Sequence, residues 1–264
     1  MLRNTIFPNG FSAANSTLPT GPFDPSSEWE NSYDLIYSGP QDFTEPSKYV
    51  YGSLRLGAKF SAEAVRLTVK SVRQTGQNFK NEREFITTSF DCNRDELFSL
   101  KDPSSWKVEA QTRNVQSAAA APYRNCFQKG LLNKNRIYKK GAAGSSFLYR
   151  QTKRVPVVSN WALLAAVQSM PRDQRFSFSY FEDLERFFAG HSIAFLETFQ
   201  AQFGGRKVML HGLTHKGPGI IPSYYWVDDS GRLLIARFGL SMLVYNANPM
   251  IDSESSKVWK GGAA

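Results

Sequence analysis

Three histidines, His191, His211 and His215, are the residues best suited to proton transfer or metal binding near neutral pH. His211 and His215 lie four positions apart. On a continuous strand both would project from one face about 13 Å apart, too far to share a metal. Gly217, Pro218 and Gly219 follow directly and would bring the rings closer if the chain turned there. The expectation is no bound metal and no cofactor. A second arrangement joins His211 or His215 with Tyr224, Tyr225 and a cation, Lys216 or Arg237. Abstracting a proton beside a sugar carboxylate needs a base, often His or Tyr, and a cation to neutralise the acid. Read so, the chain is a lyase-type enzyme on an acidic polysaccharide, with His211, His215 or Tyr224 as base. The competing reading makes the tyrosines and Trp226 ordinary strand and core residues.

Asp228 and Asp229 are adjacent, and adjacent strand residues face opposite ways, so this pair reads as a hairpin turn and not as two cooperating carboxylates. No Gly-x-Ser-x-Gly elbow, phosphate-binding loop or dinucleotide fingerprint occurs, which argues against nucleotide-dependent chemistry.

The elements that would position these groups are strands. Val65, Leu67 and Val69 alternate with Arg66, Thr68 and Lys70, and Trp106, Val108 and Ala110 with Lys107, Glu109 and Gln111. This period of two marks half-buried antiparallel strands. It returns after Ser192, through Ile193 to Phe199, Lys207 to His215, Tyr224 to Val227, Arg232 to Phe238 and Leu240 to Tyr245. Between the two sets, Trp161 to Met170 is apolar at nearly every position, with Ser159 or Asn160 as N-cap and Pro171 as a stop. A helix without a polar face must be enclosed by other structure. Ser179 to Glu182 has the form of a capping box, with Phe181, Leu184 and Phe188 on one side and Gly190 at the end, so the helical plug is predicted over 159–190. Residues 1–46 read as an irregular lead segment, 47–246 as a single antiparallel β domain, and 247–264 as a flexible tail. The Ala-, Gly- and Lys-rich stretch 117–144 reads as a long connection. The predicted fold is mainly β, a curved antiparallel sheet, half-barrel or open barrel, wrapped around a short buried helical segment.

A 41% hydrophobic share, with 14% aromatic, fits a globular core and excludes a disordered chain. No apolar run approaches the roughly 18 residues of a membrane-spanning helix. Met1 to Thr20 lacks the charged start and apolar run of a secretory signal. The excess of 32 basic over 23 acidic residues, a net +9, biases partners toward anions. The basic residues are dispersed, apart from Lys139-Lys140 and a spread of Lys59, Arg66, Lys70, Arg73, Lys80 and Arg83. No nucleic-acid-binding motif accompanies them, and nucleic acid is not the expected partner. Cys92 and Cys126, 34 positions apart, fit either one disulfide in an oxidising compartment or two buried thiols in the cytosol.

The order of strands, buried helix and strands resembles the curved half-barrel of the bacterial lipoprotein-carrier superfamily, and especially an uncharacterised periplasmic branch of it. The resemblance rests on Val157-Val158-Ser159-Asn160-Trp161-Ala162-Leu163-Leu164 as plug and on Tyr225 to Leu234 as a late hairpin, and spans residues 49–246. It implies a periplasmic or secreted protein whose concave face holds an apolar or amphiphilic ligand. The residues expected around that ligand are Trp161, His211, His215, Tyr225, Trp226 and Arg237.

Overall fold

On one strand after another the alternation is visible as burial. Val65, Leu67 and Val69 are buried while Arg66 and Lys70 point to solvent, the division expected of a sheet with one face on a core. The computed structural model describes residues 17–18, 21–37, 50–74, 82–114, 124–134, 136–141, 146–150 and 155–249. Its strands are β1 (Trp29–Tyr37), β2 (Val50–Phe60), β3 (Val65–Gln74), β4 (Glu82–Cys92), β5 (Ser104–Asn114), β6 (Arg124–Asn133), β7 (Arg136–Gly141) and β8 (Ser146–Arg150), then β9 (Val157–Ser159). The helix α1 (Asn160–Ala166) follows, and then β10 (Arg175–Glu182), β11 (Arg186–Phe203), β12 (Arg206–Lys216), β13 (Ser223–Val227), β14 (Leu233–Phe238) and β15 (Ser241–Tyr245).

All fifteen strands form one sheet, in the order β8 to β1, then β15 to β9. Two meanders are joined where β1 pairs with β15, Tyr33 standing opposite Tyr245. Among the described residues only β9 and β10 pair in parallel. The two sheet edges, β8 and β9, are neighbours in sequence, joined by residues 151–156. A connection that short reaches about 25 Å at most, whereas a flat sheet of this many strands at about 4.8 Å spacing would be roughly 67 Å wide. The sheet must therefore roll up. Trp106 of β5 accordingly meets Phe181 of β10 edge-on, with ring centroids 5.5 Å apart. Gln128 of β6 donates to the Leu184 carbonyl at 2.8 Å, and the Lys139 ammonium of β7 to the Glu185 carbonyl at 3.1 Å. Among the described residues no ladder joins β8 to β9, so the barrel is open.

The rolled sheet encloses α1, whose residues Trp161 to Ala166 are all buried. The buried helical segment expected from the all-round apolar run is present. Ser159 Oγ accepts from the Ala162 N–H at 3.0 Å and so caps the helix. Ser159→Ala is expected to cost about 1 kcal/mol in denaturant unfolding.

Three expectations are corrected. Residues 179–190 are not helical: they form the end of β10, a tight turn and the start of β11. Asp183 and Leu184 take positive φ values of 51° and 55°, the hairpin geometry that matches strand twist. Asn160 holds that turn, its Nδ2 donating to Asp183 Oδ1 at 2.8 Å and its Oδ1 accepting from the Asp183 N–H at 2.9 Å. The lead segment is not wholly irregular, because its residues Trp29–Tyr37 supply β1, in the middle of the sheet. The supposed long connection contains β6 and β7. Of the two alternatives open for the cysteines, the structure favours the thiols: Cys92 is free and buried. Cys126 is in register with Ala110, which is in register with Ile86 of β4, and Cys92 lies six residues further along that strand. The two backbones are thus separated by about 20 Å along the strand direction, beyond the roughly 4–7 Å that a disulfide spans. Residues 1–16, 38–49 and 250–264, Lys80 and Ala118 to Ala121 lie outside the described residues.

Candidate functional site

Where α1 begins, the roll of the sheet leaves a cavity of about 350 Å³. Five pieces of chain converge on it: Asn160, Trp161 and Leu164 of the plug; Tyr180, Glu182, Asp183 and Arg186 of the β10–β11 hairpin; Gly219 to Ile221 of the β12–β13 loop, with Ser223 and Tyr225 of β13; Phe238, Gly239 and Ser241 at the β14–β15 turn; and Tyr51 and Arg73 of β2 and β3. The period of two puts Arg73 there: Val65, Leu67, Val69, Ser71 and Arg73 share the inward face of β3. The Tyr51 and Ser241 hydroxyls bond at 2.9 Å across the wall.

Arg186 is held by Glu182 at 2.7 Å. Burial raises the Glu182 carboxyl above its ordinary value, against the opposing pull of Arg186. Burial also drives the phenols of Tyr180 and Tyr225 far above the usual tyrosine value. At neutral pH both are protonated hydrogen-bond groups, unsuited to act as bases.

One wall of the cavity is backed by a histidine pair. His191 Nε2 lies 3.0 Å from the Pro218 carbonyl, which can only accept, so this nitrogen carries the proton. The bare Nδ1 of neutral His191 accepts from His215 Nε2–H at 2.8 Å. His215 Nδ1 is thereby left without a proton, buried and with no partner. Burial lowers the His215 pKa to about 3, with the His191 charge as the second cause. Burial lowers that of His191 too, partly offset by its bond to Pro218. Tyr180, a cavity residue, stacks on His191 at 5.0 Å between centroids and meets His215 edge-on at 4.7 Å. Gly217 must be glycine here, since a Cβ would stand 2.4 Å from His191 Cγ.

Of the residues named from sequence, Trp161 and Tyr225 line the cavity. His215 stands behind it. The β12 strand is continuous through His211 and His215, and the two rings have separate partners. His211 donates from Nε2 to Asp229 Oδ1 at 2.8 Å and accepts at Nδ1 from the Thr198 hydroxyl at 3.0 Å. Tyr224, Trp226 and Arg237 are on the other face of the sheet. Leu213 and His215 pair with Tyr225 and Ser223, whereas Thr214 and Gly212 pair with Tyr224 and Trp226, and Tyr224 with Arg237. Tyr224 stacks on Trp226 with centroids 6.0 Å apart. A His, Tyr224 and Arg237 constellation is therefore not assembled, because neighbouring strand positions face opposite ways. Asp228 is a turn residue as expected, its Oδ1 accepting from the Ser230 and Arg232 N–H groups at 2.9 Å each. Sequence reasoning did not single out Tyr51, Tyr180, Arg186 or Ser223 for the site. Arg73 appeared only as one of a spread of basic residues.

The rolled sheet with its enclosed helix defines a β-barrel-like protein. No family model matches the chain, and no curated protein does. In structure it is similar to a β-barrel-like protein of Domain of Unknown Function DUF1849 from Brucella abortus, with a TM-score of 0.51 at 9% sequence identity, over 83% of this chain and 95% of that one. At that identity the likeness speaks of the fold alone, and the expected kinship is met at the level of a barrel-like fold. Among the described residues no helix is long and apolar enough to cross a membrane, and no cluster of three His, Cys, Asp or Glu side chains is placed to hold a metal.

Proposed function

We propose that the protein is an extracytoplasmic binding protein, a relative in kind of the lipoprotein carriers, that holds a small apolar or amphiphilic ligand on the concave side of its sheet. The observation that carries this reading is the cavity at the start of the plug. Its size is near the lower end of the roughly 300–1,000 Å³ typical of small-ligand sites, which combine apolar walls with a few convergent polar groups. Trp161, Leu164, Ile220 and Tyr225 offer an apolar side, while Arg73, Arg186 and the Tyr51 and Ser241 hydroxyls offer a polar one. A lyase on acidic polysaccharide finds less support, since His211 and His215 of β12 are on the opposite face of the sheet from Tyr224 and Arg237.

The test is binding of the neutral fluorescent probe diphenylhexatriene and its displacement by methyl dodecanoate. Saturable binding with displacement is expected. Ile220→Trp, a loop substitution that fills part of the cavity, is expected to weaken binding roughly tenfold, about 1.4 kcal/mol. Absence of saturable binding would overturn the proposal, and unchanged affinity in Ile220→Trp would move the site elsewhere.

A further inference from the structure

Arg73 is at an inward-facing position of β3, on the cavity wall. Its Nε is buried and has no hydrogen-bond partner. Glu84 is directly opposite on β4, yet no ion pair joins them among the described residues. The cavity's other charges are committed: Arg186 to Glu182 at 2.7 Å, and Asp183 to Asn160 Nδ2 at 2.8 Å. The hydroxyls of Ser71 and Thr88, further along the same inward face, are likewise buried without a partner. Arg73 is half-buried, and a guanidinium partly withdrawn from water is costly while no counter-charge binds it. The planar fork of donors that a guanidinium carries matches the two oxygens of a carboxylate or phosphate.

From this we infer that the occupant of the cavity is a single-chain anionic amphiphile, its acidic head bound by Arg73 and its hydrocarbon tail against Trp161, Leu164 and Ile220. The inference rests on the cavity being a ligand site and adds the charge class of the ligand. The net +9 of the chain favours the approach of such a molecule.

The experiment is calorimetric titration with dodecanoate, monododecyl phosphate and methyl dodecanoate, each below its micelle concentration, on the wild type, Arg73→Met and Arg73→Lys. Wild type is expected to bind at least one of the two acids about tenfold or more tightly than the ester. Arg73→Met should bind acid and ester alike, and Arg73→Lys should keep part of the preference. The ratio between dodecanoate and monododecyl phosphate tells a carboxylate head from a phosphate one. Equal binding of acids and ester by wild type, or a preference that survives in Arg73→Met, would overturn the inference while leaving the cavity as a binding site. Failure of all three ligands would remove the binding reading itself. Should Arg73→Met not fold, the acid-to-ester ratio of wild type and Arg73→Lys decides.

Discussion

Gln168→Leu is expected to destabilise the protein by about 3–5 kcal/mol in urea unfolding, more than any single substitution at the cavity. Gln168 follows α1 and is buried. Its Oε1 accepts from Asn31 Nδ2 at 2.9 Å and from the Leu233 N–H at 3.2 Å, and its Nε2 donates to the Leu164 carbonyl at 3.1 Å. One amide thus ties the plug to β1 and β14, on either side of β15. Leucine keeps the bulk and abandons two buried donors, each worth about 1–3 kcal/mol when left unpaired. Removing a donor as well should be less harmful than the sum, so Asn31→Leu combined with Gln168→Leu is expected to be less than additive. A single-variant loss below about 1 kcal/mol would mean that the amide is not what holds the plug to the sheet.

Acid should unfold this protein earlier than its carboxylates alone would dictate. His191 and His215 are neutral when folded because burial lowers both pKa values, His215 to about 3. In the unfolded chain they titrate near the ordinary value of about 6.5. Below that pH the unfolded state binds protons that the folded state refuses. Their contribution is therefore complete above about pH 6.5 and is lost as pH falls toward the folded values, at up to about 1.4 kcal/mol per pH unit for each histidine. His215→Gln keeps an N–H donor for His191 and removes one titrating group. Melting temperature followed from pH 7 to 4 should fall less steeply in His215→Gln than in wild type. Parallel curves would show that His215 is accessible to protons in the folded state.

The plug was legible because Trp161 to Ala166 has no polar face, a pattern that only an enclosed helix satisfies. The hairpin at 179–190 was misread because Ser-x-x-Glu serves helix starts, while the competing signal, Phe176, Phe178 and Tyr180 spaced by serines, is a period of two. β1 hid behind its polar residues. Asn31 and Asp34 are buried and look like loop residues until their partners appear, Gln168 for one and Asn246 Nδ2, at 2.8 Å, for the other. Such long-range pairings leave no local trace. In β6, Gly130 lies under the Trp106 indole, where a Cβ would collide with the ring; a glycine that marks a connection in sequence here marks close packing. The site was half visible. Trp161 and Tyr225 were named and line the cavity, but the aromatic run around Tyr225 straddles both faces of β13, which removed Tyr224 and Trp226. Arg66 and Lys70 face outward while Arg73, of opposite parity, faces in. A count of basic residues does not separate them; counting by twos along β3 does.

The pairing of Tyr33 with Tyr245 joins the two meanders at strands from nearly opposite ends of the chain. During translation at about 5–20 residues per second, β1 emerges roughly 10–40 s before the strand that will cover it. Through that interval the first meander exposes the β1 edge and an unfilled inner surface, since α1 is made only after β8. Unpaired edges of this kind recruit other chains. A nascent chain in that state is open to edge-to-edge pairing with its neighbours until β15 arrives to complete the sheet.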